Sequence, residues 1–309
     1  MSKITKALEK AARERLQQLQ EKPTVTAKAA TIPLELLNLA QIAPAGSAQV
    51  DPHIVSASDS KSPIAEQYRI LRTNLQSLRL PAATRAAQAG MRPGAKVVVV
   101  TSAVHGEGKS VTTVNLALTL ARQENLKVVL IDGDLRKSSI DKWLGLPQRE
   151  EGLSTVLQRG GELNGSLIRL QDPSLAILPA GPTPDHPTEL LESSSMRRLL
   201  ATLKTQFDVI LIDSPPVLPV ADPAILGAQA DGVILVVRAG KTQRKTVQHT
   251  QALLSQVKAN ILGCVLTHVE YYMPGYYRYY HYYRYGAKKD SDKQQATSNK
   301  QGVAEGAVA

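Results

Sequence analysis

The sequence contains a single cysteine, Cys264, so no disulfide can form within the chain. Cys264 lies in the apolar stretch 261–269, which predicts a thiol in the core. No apolar run approaches the roughly 20 residues that a membrane-spanning helix needs, and residues 1–10 lack the apolar core of a secretory signal. These absences predict a cytoplasmic protein, and any work at a membrane would need a partner that recruits it to the inner face.

Aromatic residues are scarce except in one segment. The chain has one Phe, one Trp and ten Tyr. Tyrosines in a core recur at a strand or helix period among aliphatic residues, and the clustered ones do not. Three interpretations are open: a tail whose tyrosines are modified, a stacking platform for single-stranded nucleic acid, or an adhesive aromatic segment. Nine tyrosines fall in the cluster: Tyr271, Tyr272, Tyr276, Tyr277, Tyr279, Tyr280, Tyr282, Tyr283 and Tyr285.

Acidic residues are in deficit, with 27 Asp and Glu against 37 Lys and Arg and a formal net charge of +10. Between Ser62 and Lys96 the only acid is Glu66. This mild excess is not by itself the composition of a nucleic-acid-binding protein, and no nucleic-acid partner is predicted. Nucleic-acid binding would be indicated by an affinity for nucleic acid that falls steeply as the salt concentration rises.

Four regions follow one another along the chain. Residues 1–21 have apolar positions at three- and four-residue spacing, which predicts an amphipathic helix that covers a core or docks on a partner. Residues 22–61 are rich in Pro, Ala, Thr and Ser and indicate a linker. Residues 62–269 hold the core, and residues 270–309 have no core pattern and predict a flexible, disordered tail.

The core alternates strand patterns with helix patterns. Continuous apolar strands separated by helices predict an α/β fold with a mostly parallel sheet and helices on both faces. Ligands in such sheets bind at the carboxyl ends of the strands. The predicted strands are 96–101, 127–132, 175–179, 208–213, 232–238 and 261–269, and the predicted helices are 63–80, 109–123, 188–192, 194–204, 221–228 and 242–257.

A glycine-rich loop lies between the first core strand and the next helix. The segment 103–110, Ala-Val-His-Gly-Glu-Gly-Lys-Ser, matches the phosphate-binding P-loop in all but its first glycine. Gly106 and Gly108 let consecutive N–H groups point at phosphate oxygens, while Lys109 neutralises phosphate charge and Ser110 ligates Mg²⁺. The loop predicts a P-loop NTPase-like domain that binds ATP through Gly106, Glu107, Gly108, Lys109, Ser110 and Val111.

Two predicted strands end in aspartate. Asp132 and Asp134 follow the strand 127–132, and Asp213 ends the strand 208–213. An apolar strand that delivers an Asp to its carboxyl end is how a P-loop protein places an acid beside Mg²⁺. A cap on the following helix is the alternative for either strand-terminal Asp. Because two strands converge on one loop, we expect catalytic and metal-binding roles.

These motifs together resemble the bacterial tyrosine kinases (BY-kinases) of exopolysaccharide and capsule systems, in their stand-alone cytoplasmic form. The resemblance covers about residues 62–285. It implies an ATP-dependent protein-tyrosine autokinase that phosphorylates its own tyrosine cluster and regulates exopolysaccharide synthesis or export. Its motifs are 103–110 as Walker A, 131–136 as the second Walker motif, 210–216 as Walker B, 179–191, 236–240 and the tyrosine-rich tail.

The resemblance also implies residue roles. The implied catalytic residues are Lys109, which acts on the phosphates, Asp132, which is the base or orienter of the incoming tyrosine hydroxyl, and Asp134 and Asp213, which complete the coordination of the metal. Ser110, Asp132 and Asp213 are the implied Mg²⁺ ligands. At the position of Thr267 the family frequently has an asparagine near the nucleotide base.

An oligomerisation helix of the family reads Glu66-x-x-Arg69-x-x-Arg72 here. Spacings of three place these side chains near one face of a helix. An ordinary solvated helix with a Glu66–Arg69 pair is the alternative. The family implies a homo-oligomeric ring, a membrane adaptor of a polysaccharide export system and a phosphotyrosine phosphatase as partners.

Two other classes of protein remain open from the sequence. A ParA/MinD-like positioning ATPase shares this core but characteristically carries a further lysine near the start of the loop, where this chain has Ala103 and Val104. A non-enzymatic regulator would bind nucleotide and present its tail to a partner. Steady ATP hydrolysis without protein phosphorylation would indicate the ATPase.

Overall fold

One twisted sheet forms the centre of the computed structural model, which describes residues 43–44, 50–78, 96–159, 163–170 and 174–269. Its eight strands lie in the order β1-β4-β5-β3-β6-β2-β7-β8. All neighbouring strands are parallel except β4 and β5. The strands are β1 (Ala43–Pro44), β2 (Lys96–Ser102), β3 (Val128–Asp132), β4 (Ile168–Leu170), β5 (Leu175–Leu178), β6 (Val209–Asp213), β7 (Gly232–Arg238) and β8 (Ile261–Thr267).

Helices cover both faces of this sheet. Alternate residues of a strand point to opposite faces, so Val97 and Val99 face one apolar cluster while Val98 and Val100 face the other. The predicted α/β, mostly parallel P-loop fold is confirmed. The helices are α1 (Val55–Ser58), α2 (Pro63–Ser77), α3 (Lys109–Ala121), α4 (Ile140–Leu144), α5 (Leu153–Arg159), α6 (Leu163–Ser166), α7 (Pro187–Glu192), α8 (Ser194–Gln206), α9 (Asp222–Gln229) and α10 (Arg244–Gln256).

The ends of α2 have identifiable causes. Ser62 precedes the helix, and its hydroxyl accepts a hydrogen bond from Ala65 N at 3.1 Å, as an N-cap does. Pro63 occupies the first turn, where a missing N–H costs nothing. At the other end, Lys96 Nζ donates to the carbonyl oxygens of Leu75 and Leu78, which the last turn leaves unpaired.

Part of the predicted linker 22–61 belongs to the folded core. Ile54 is fully buried, and Ser56, in α1, is 3% exposed. Ser56 N donates to Asn115 Oδ1 of α3 at 2.8 Å. Composition suggested a linker because Ser and Pro are frequent there, but the buried side chain of Ile54 and hydrogen bonds that join Ser56 and His53 to α3 attach this segment to the core.

The prediction that Cys264 is a core thiol is wrong, because its side chain is exposed. β8 pairs with β7 alone among the described strands, and none of its side chains is fully buried. Leu266 of the same strand is 56% exposed. An apolar sequence therefore forms an edge strand here, since the apolar pattern does not reveal which strand ends the sheet.

Two predicted segments, the amphipathic helix 1–21 and the tail 270–309, lie outside the described residues. Within the described ranges, no helix combines the length and apolar character needed to cross a bilayer. The short strand β4 was not predicted, since three residues carry too little pattern.

Candidate active site

The predicted site residues meet at the carboxyl edge of the sheet. β2 leads into the glycine-rich loop and then α3, which begins at Lys109. β6 lies between β2 and β3, and Asp132 and Asp213 are direct partners across the β3–β6 ladder. The structure therefore brings together the loop and both aspartate-terminated strands, as expected for ligand sites in parallel sheets.

The loop has the backbone conformation that its glycines predict. Gly106 and Gly108 have φ values of 79° and 92°, in the left-handed region that glycine adopts without strain. Gly108 immediately precedes α3, whose free N–H groups and dipole favour an anion. A Cβ at Gly108 would lie 3.4 Å from Thr267 Cγ2, so β8 closes the space behind the loop.

Lys109 is held between two carboxylates. Its Nζ lies 3.3 Å from Asp134 Oδ2 and 3.7 Å from Asp213 Oδ2. Burial acts to lower the pKa of Lys109, but the two carboxylates outweigh it, so this pKa lies above its ordinary value. Lys109 Nζ also donates to Ser110 Oγ at 3.1 Å. The lysine is thus charged and oriented at the start of α3.

Asp213 has one oxygen that accepts no hydrogen bond from the described residues, although it forms an ion pair with Lys109. The side chain is fully buried, and Thr113 Oγ1 donates to its Oδ1 at 3.3 Å. Its Oδ2 is buried and accepts no hydrogen bond from the described residues. Burial raises the pKa of Asp213, and Lys109 and Ser110 act against that rise. An orphaned buried acceptor beside a lysine indicates a ligand or ion that completes the site.

Asp132 organises the loop between β3 and α4. Its Oδ1 accepts from Asp134 N, and its Oδ2 accepts from the N–H groups of Ser139 and Ile140, each at 3.1 Å. The helix-capping role considered as an alternative is therefore present. Burial, followed by the negative charge of Asp213, raises the pKa of Asp132 to about 8. The predicted catalytic and metal roles of Asp132 stay predictions.

The side chain of Glu107 points into the protein, away from the space that a nucleotide would fill. It is 1% exposed, and its Oε2 accepts from Val104 N at 2.8 Å. Its Oε1 accepts from Arg238 N at 3.3 Å and from the Thr242 hydroxyl. Glu107 was predicted to bind the cofactor. The structure instead assigns its side chain to bracing the loop against β7, which the motif alone does not indicate.

A second network was missed from the sequence. Arg136 Nε donates to the fully buried Asp222 at 2.8 Å, and Arg136 Nη2 donates to Thr188 Oγ1 at 2.8 Å. Thr188 Oγ1 in turn donates to Asp222 Oδ1 at 2.6 Å. This network ties the segment that carries Asp134 to α7 and α9. Residues 86 positions apart form it, so no local signal could have indicated it.

A large apolar groove adjoins the loop between α2, α3 and the end of β8. Its volume is about 740 Å³, within the range of small-molecule sites. Gly108, Val111 and Thr267 line it on the side of the glycine-rich loop. Thr267 Oγ1 donates to the Glu107 carbonyl at 2.8 Å, which fixes that wall.

Of the predicted oligomerisation residues, Glu66 and Arg69 form an ion pair on α2. Arg72 follows one turn later, and its Nε has no hydrogen-bond partner in the described part of the chain. The three side chains therefore share a helix face, as their spacing predicts.

Comparison with known proteins supports the same interpretation. The AAA domain family matches residues 95–262. The tyrosine-protein kinase YwqD of Bacillus subtilis is 35% identical over 231 residues, which is 73% of this chain and 91% of that protein.

Solved structures agree. The kinase domain of the Escherichia coli tyrosine kinase ETK has a TM-score of 0.61 and 29% identity, over 72% of this chain and 81% of that one. The chimerical protein CapA2B2 has the same TM-score and identity, over 73% of this chain and 93% of that one. The resemblance inferred from the motifs is confirmed, and the chain belongs to the bacterial tyrosine-kinase (BY-kinase) family of protein-tyrosine kinases.

Proposed function

We propose that this tyrosine kinase uses ATP and Mg²⁺ to phosphorylate its own tyrosine cluster, Tyr271 to Tyr285, and thereby regulates exopolysaccharide synthesis or export. The observation that carries the proposal is the position of Lys109. This charged lysine lies at the start of α3, next to a loop in the phosphate-binding conformation. It pairs with a buried carboxylate oxygen of Asp213 that accepts no hydrogen bond from the described residues.

The residues present fit a magnesium nucleotide. The described residues contain no cluster of three or more His, Cys, Asp or Glu side chains that could hold a metal. Mg²⁺ at phosphoryl-transfer sites needs only one or two carboxylates together with waters and phosphates. Ser110 and Asp213 would hold it, with Asp132 behind Asp213. When bound, the ion neutralises charge that develops on the transferred phosphoryl group.

The chain's own side chains supply positioning and charge. Lys109 binds β- and γ-phosphate oxygens, because its pKa keeps it protonated. Asp134 holds Lys109 in place across 3.3 Å. We assign to Asp132 the acceptance or orientation of the tyrosine hydroxyl proton, since a carboxylate whose pKa is raised to about 8 is, in its ionised form, a stronger base than an ordinary carboxylate.

The tyrosine cluster can reach an active site. Val269 ends the described core, and an extended chain from there to Tyr285 spans at most about 55 Å. The predicted core of residues 62–269 has a radius of gyration of about 17 Å. Reach therefore allows transfer within one chain or to a neighbour, and the ring implied by Glu66, Arg69 and Arg72 would favour the neighbour.

Phosphorylation would also change the assembly. Each phosphotyrosine adds about −1.5 to −2, so nine of them add roughly −14 to −18, which reverses the net charge of +10. We propose that this charge dissociates the ring, that a phosphotyrosine phosphatase restores it, and that a membrane adaptor recruits the kinase. Light scattering that gives equal masses before and after ATP treatment would contradict the dissociation.

Intact-mass spectrometry before and after incubation with Mg-ATP tests the proposed activity. We expect a ladder of phosphate additions that maps to 271–285 and is absent in Lys109→Ala. The matched control is Lys245→Ala, since Lys245 is exposed on α10. ATP hydrolysis without phosphate additions, also in the presence of an adaptor's cytoplasmic segment, would contradict the autokinase and favour a positioning ATPase.

A further inference from the structure

A small cavity rich in arginine lies away from the phosphate loop. It has a volume of about 70 Å³ and is formed by α1, α2 and the end of α3. Its lining contains three guanidinium groups and three hydroxyls but no carboxylate. The lining residues are Ser56, Ser60, Ala65, Arg69, Arg72, Thr119 and Arg122.

Among the described residues, two of the three arginines have no carboxylate within ion-pair distance. The Arg69 guanidinium is occupied by Glu66 and by the Ser60 carbonyl. Arg72 Nε is buried without a hydrogen-bond partner, and the described structure gives the Arg122 side chain neither a hydrogen bond nor an ion pair. The buried Arg72 Nε donor costs free energy unless a ligand accepts its hydrogen. The cavity therefore has unused positive charge and unused donors.

The donor set fits a tetrahedral oxyanion. Guanidinium groups bind phosphate oxygens through parallel N–H donors, and this geometry makes arginine the common residue for such ligands. The hydroxyls of Ser56 and Thr119 line the wall but are already committed, because Thr119 Oγ1 donates to the Asn115 carbonyl at 2.7 Å and Ser56 Oγ donates to Thr119 Oγ1 at 3.0 Å. The guanidinium groups therefore supply the donors. Nucleotide-sized ligands need about 300 Å³ or more, so a cavity of about 70 Å³ suits a single phosphoryl group.

We propose that this arginine cavity binds a phosphorylated tyrosine from the 271–285 segment, of the same chain or of a second copy. The inference rests on the proposed autophosphorylation of that segment, which would supply up to nine phosphoryl groups on one short stretch. Covalent attachment also gives these groups a high effective concentration at the cavity.

Occupation of the cavity would act on assembly. Arg69 and Arg72 belong to the proposed oligomerisation helix, so a phosphotyrosine bound there competes with the contact between subunits. The proposed dissociation would then have two causes: competition between phosphotyrosine and the neighbouring subunit for Arg69 and Arg72, and charge repulsion between the tails.

Binding of a synthetic peptide tests the site without any kinase activity. The probe is a fluorescein-labelled peptide of residues 276–285 with phosphotyrosine at Tyr280, titrated in the absence of ATP onto the full-length, phosphatase-treated protein. We expect the unphosphorylated peptide to bind at least about tenfold more weakly, because charge-assisted hydrogen bonds to a phosphoryl group contribute about 1.5 kcal/mol or more each.

Variants locate the binding. Arg122→Gln removes an unpaired cation outside the oligomerisation motif and should weaken the phosphopeptide about tenfold. Arg244→Gln makes the same charge change at an exposed position on α10 and should have no effect. Equal binding of both peptides, no binding of the phosphopeptide, or an Arg122→Gln affinity equal to wild type would each overturn the proposal. None of these results touches the phosphate ladder that tests the autokinase itself.

Discussion

A buried group of lysine and aspartate side chains lies at each end of the parallel strands, one at the amino edge of the sheet and one at the carboxyl edge. The two groups differ in how completely their charges are matched. At the amino edge, Lys204 Nζ lies 2.9 Å from Asp231 Oδ2. At the carboxyl edge, Lys109 lies between Asp134 and Asp213. The lysines are similarly buried, with side chains 16% and 12% exposed.

The amino-edge pair is complete within the protein. Asp231 accepts from Lys204 Nζ through both oxygens and from Val97 N at 2.7 Å. One cation faces one anion, and the pair joins α8 to the starts of β2 and β7. Such a group stabilises the fold, and neither residue has a buried side-chain nitrogen or oxygen without a hydrogen-bond partner.

The carboxyl-edge group is incomplete. Three buried carboxylates share one lysine, and the Oδ2 atom of Asp213 accepts no hydrogen bond within the described ranges. Burial, with a smaller contribution from the neighbouring carboxylates, raises the pKa values of Asp132 and Asp213. A buried charge cluster therefore indicates a functional site when only a ligand or ion from outside the chain can balance its charges.

The largest expected effect comes from Asp213→Asn. Tyrosine phosphorylation should fall by at least about 10²-fold, by analogy with the loss of one preorganised electrostatic contact. The melting temperature of the nucleotide-free protein should stay equal or rise, since one of three crowded carboxylates is removed. Initial rates from intact-mass spectrometry and scanning calorimetry measure the two quantities. A variant that is less stable but fully active would contradict the comparison.

Asp231→Ala should show the opposite pattern. Removing one partner of a largely buried ion pair costs about 3 kcal/mol of unfolding free energy, while the phosphorylation rate well below the melting temperature should not change. Urea unfolding gives the free energy. In the double variant with Lys204→Met, part of the loss should return because no unpaired charge remains. Additive losses would show that the pair is not coupled.

Glu107→Gln tests a charge that braces the loop without facing a ligand. We expect KM for ATP to rise about tenfold, because one hydrogen bond to a charged acceptor is worth about 1.5 kcal/mol, with a smaller change in kcat. Steady-state kinetics separate these parameters, and exposed Glu192→Gln is the control. If kcat falls while KM is unchanged, Glu107 acts on the chemical step instead.

A further effect concerns pH. Burial raises the folded pKa of Asp132 to about 8 from 3.8, so the folded protein holds a proton that the unfolded chain releases between these values. Stability from this group is full below pH 3.8 and declines as pH rises towards 8. Melting temperatures of the nucleotide-free protein should therefore fall less steeply between pH 5 and 8 in Asp132→Asn than in wild type. Parallel slopes would show that Asp132 does not hold this proton.

Local pattern was sufficient for much of the fold and for the centre of the site. Six of the eight described strands and the loop 103–110 were predicted, because these strands are continuous apolar runs and the P-loop is contiguous in sequence. The exposed Cys264 and the attachment of Ile54 were not, since an apolar pattern does not say which neighbours cover it. The inward position of Glu107 was also missed, because motif spacing fixes residue type and not side-chain direction.

By itself the sequence determined the glycine-rich loop, the aspartates at the ends of two strands and the tyrosine cluster, all of which are short contiguous signals. Only the tertiary structure decided that Lys204 pairs with Asp231, that Asp213 Oδ2 accepts no hydrogen bond from the described residues, and that Arg72 and Arg122 share a cavity. The physical reason is that charge balance and burial depend on groups brought together from distant parts of the chain. A residue's neighbours in sequence do not reveal which partners will be close to it after folding.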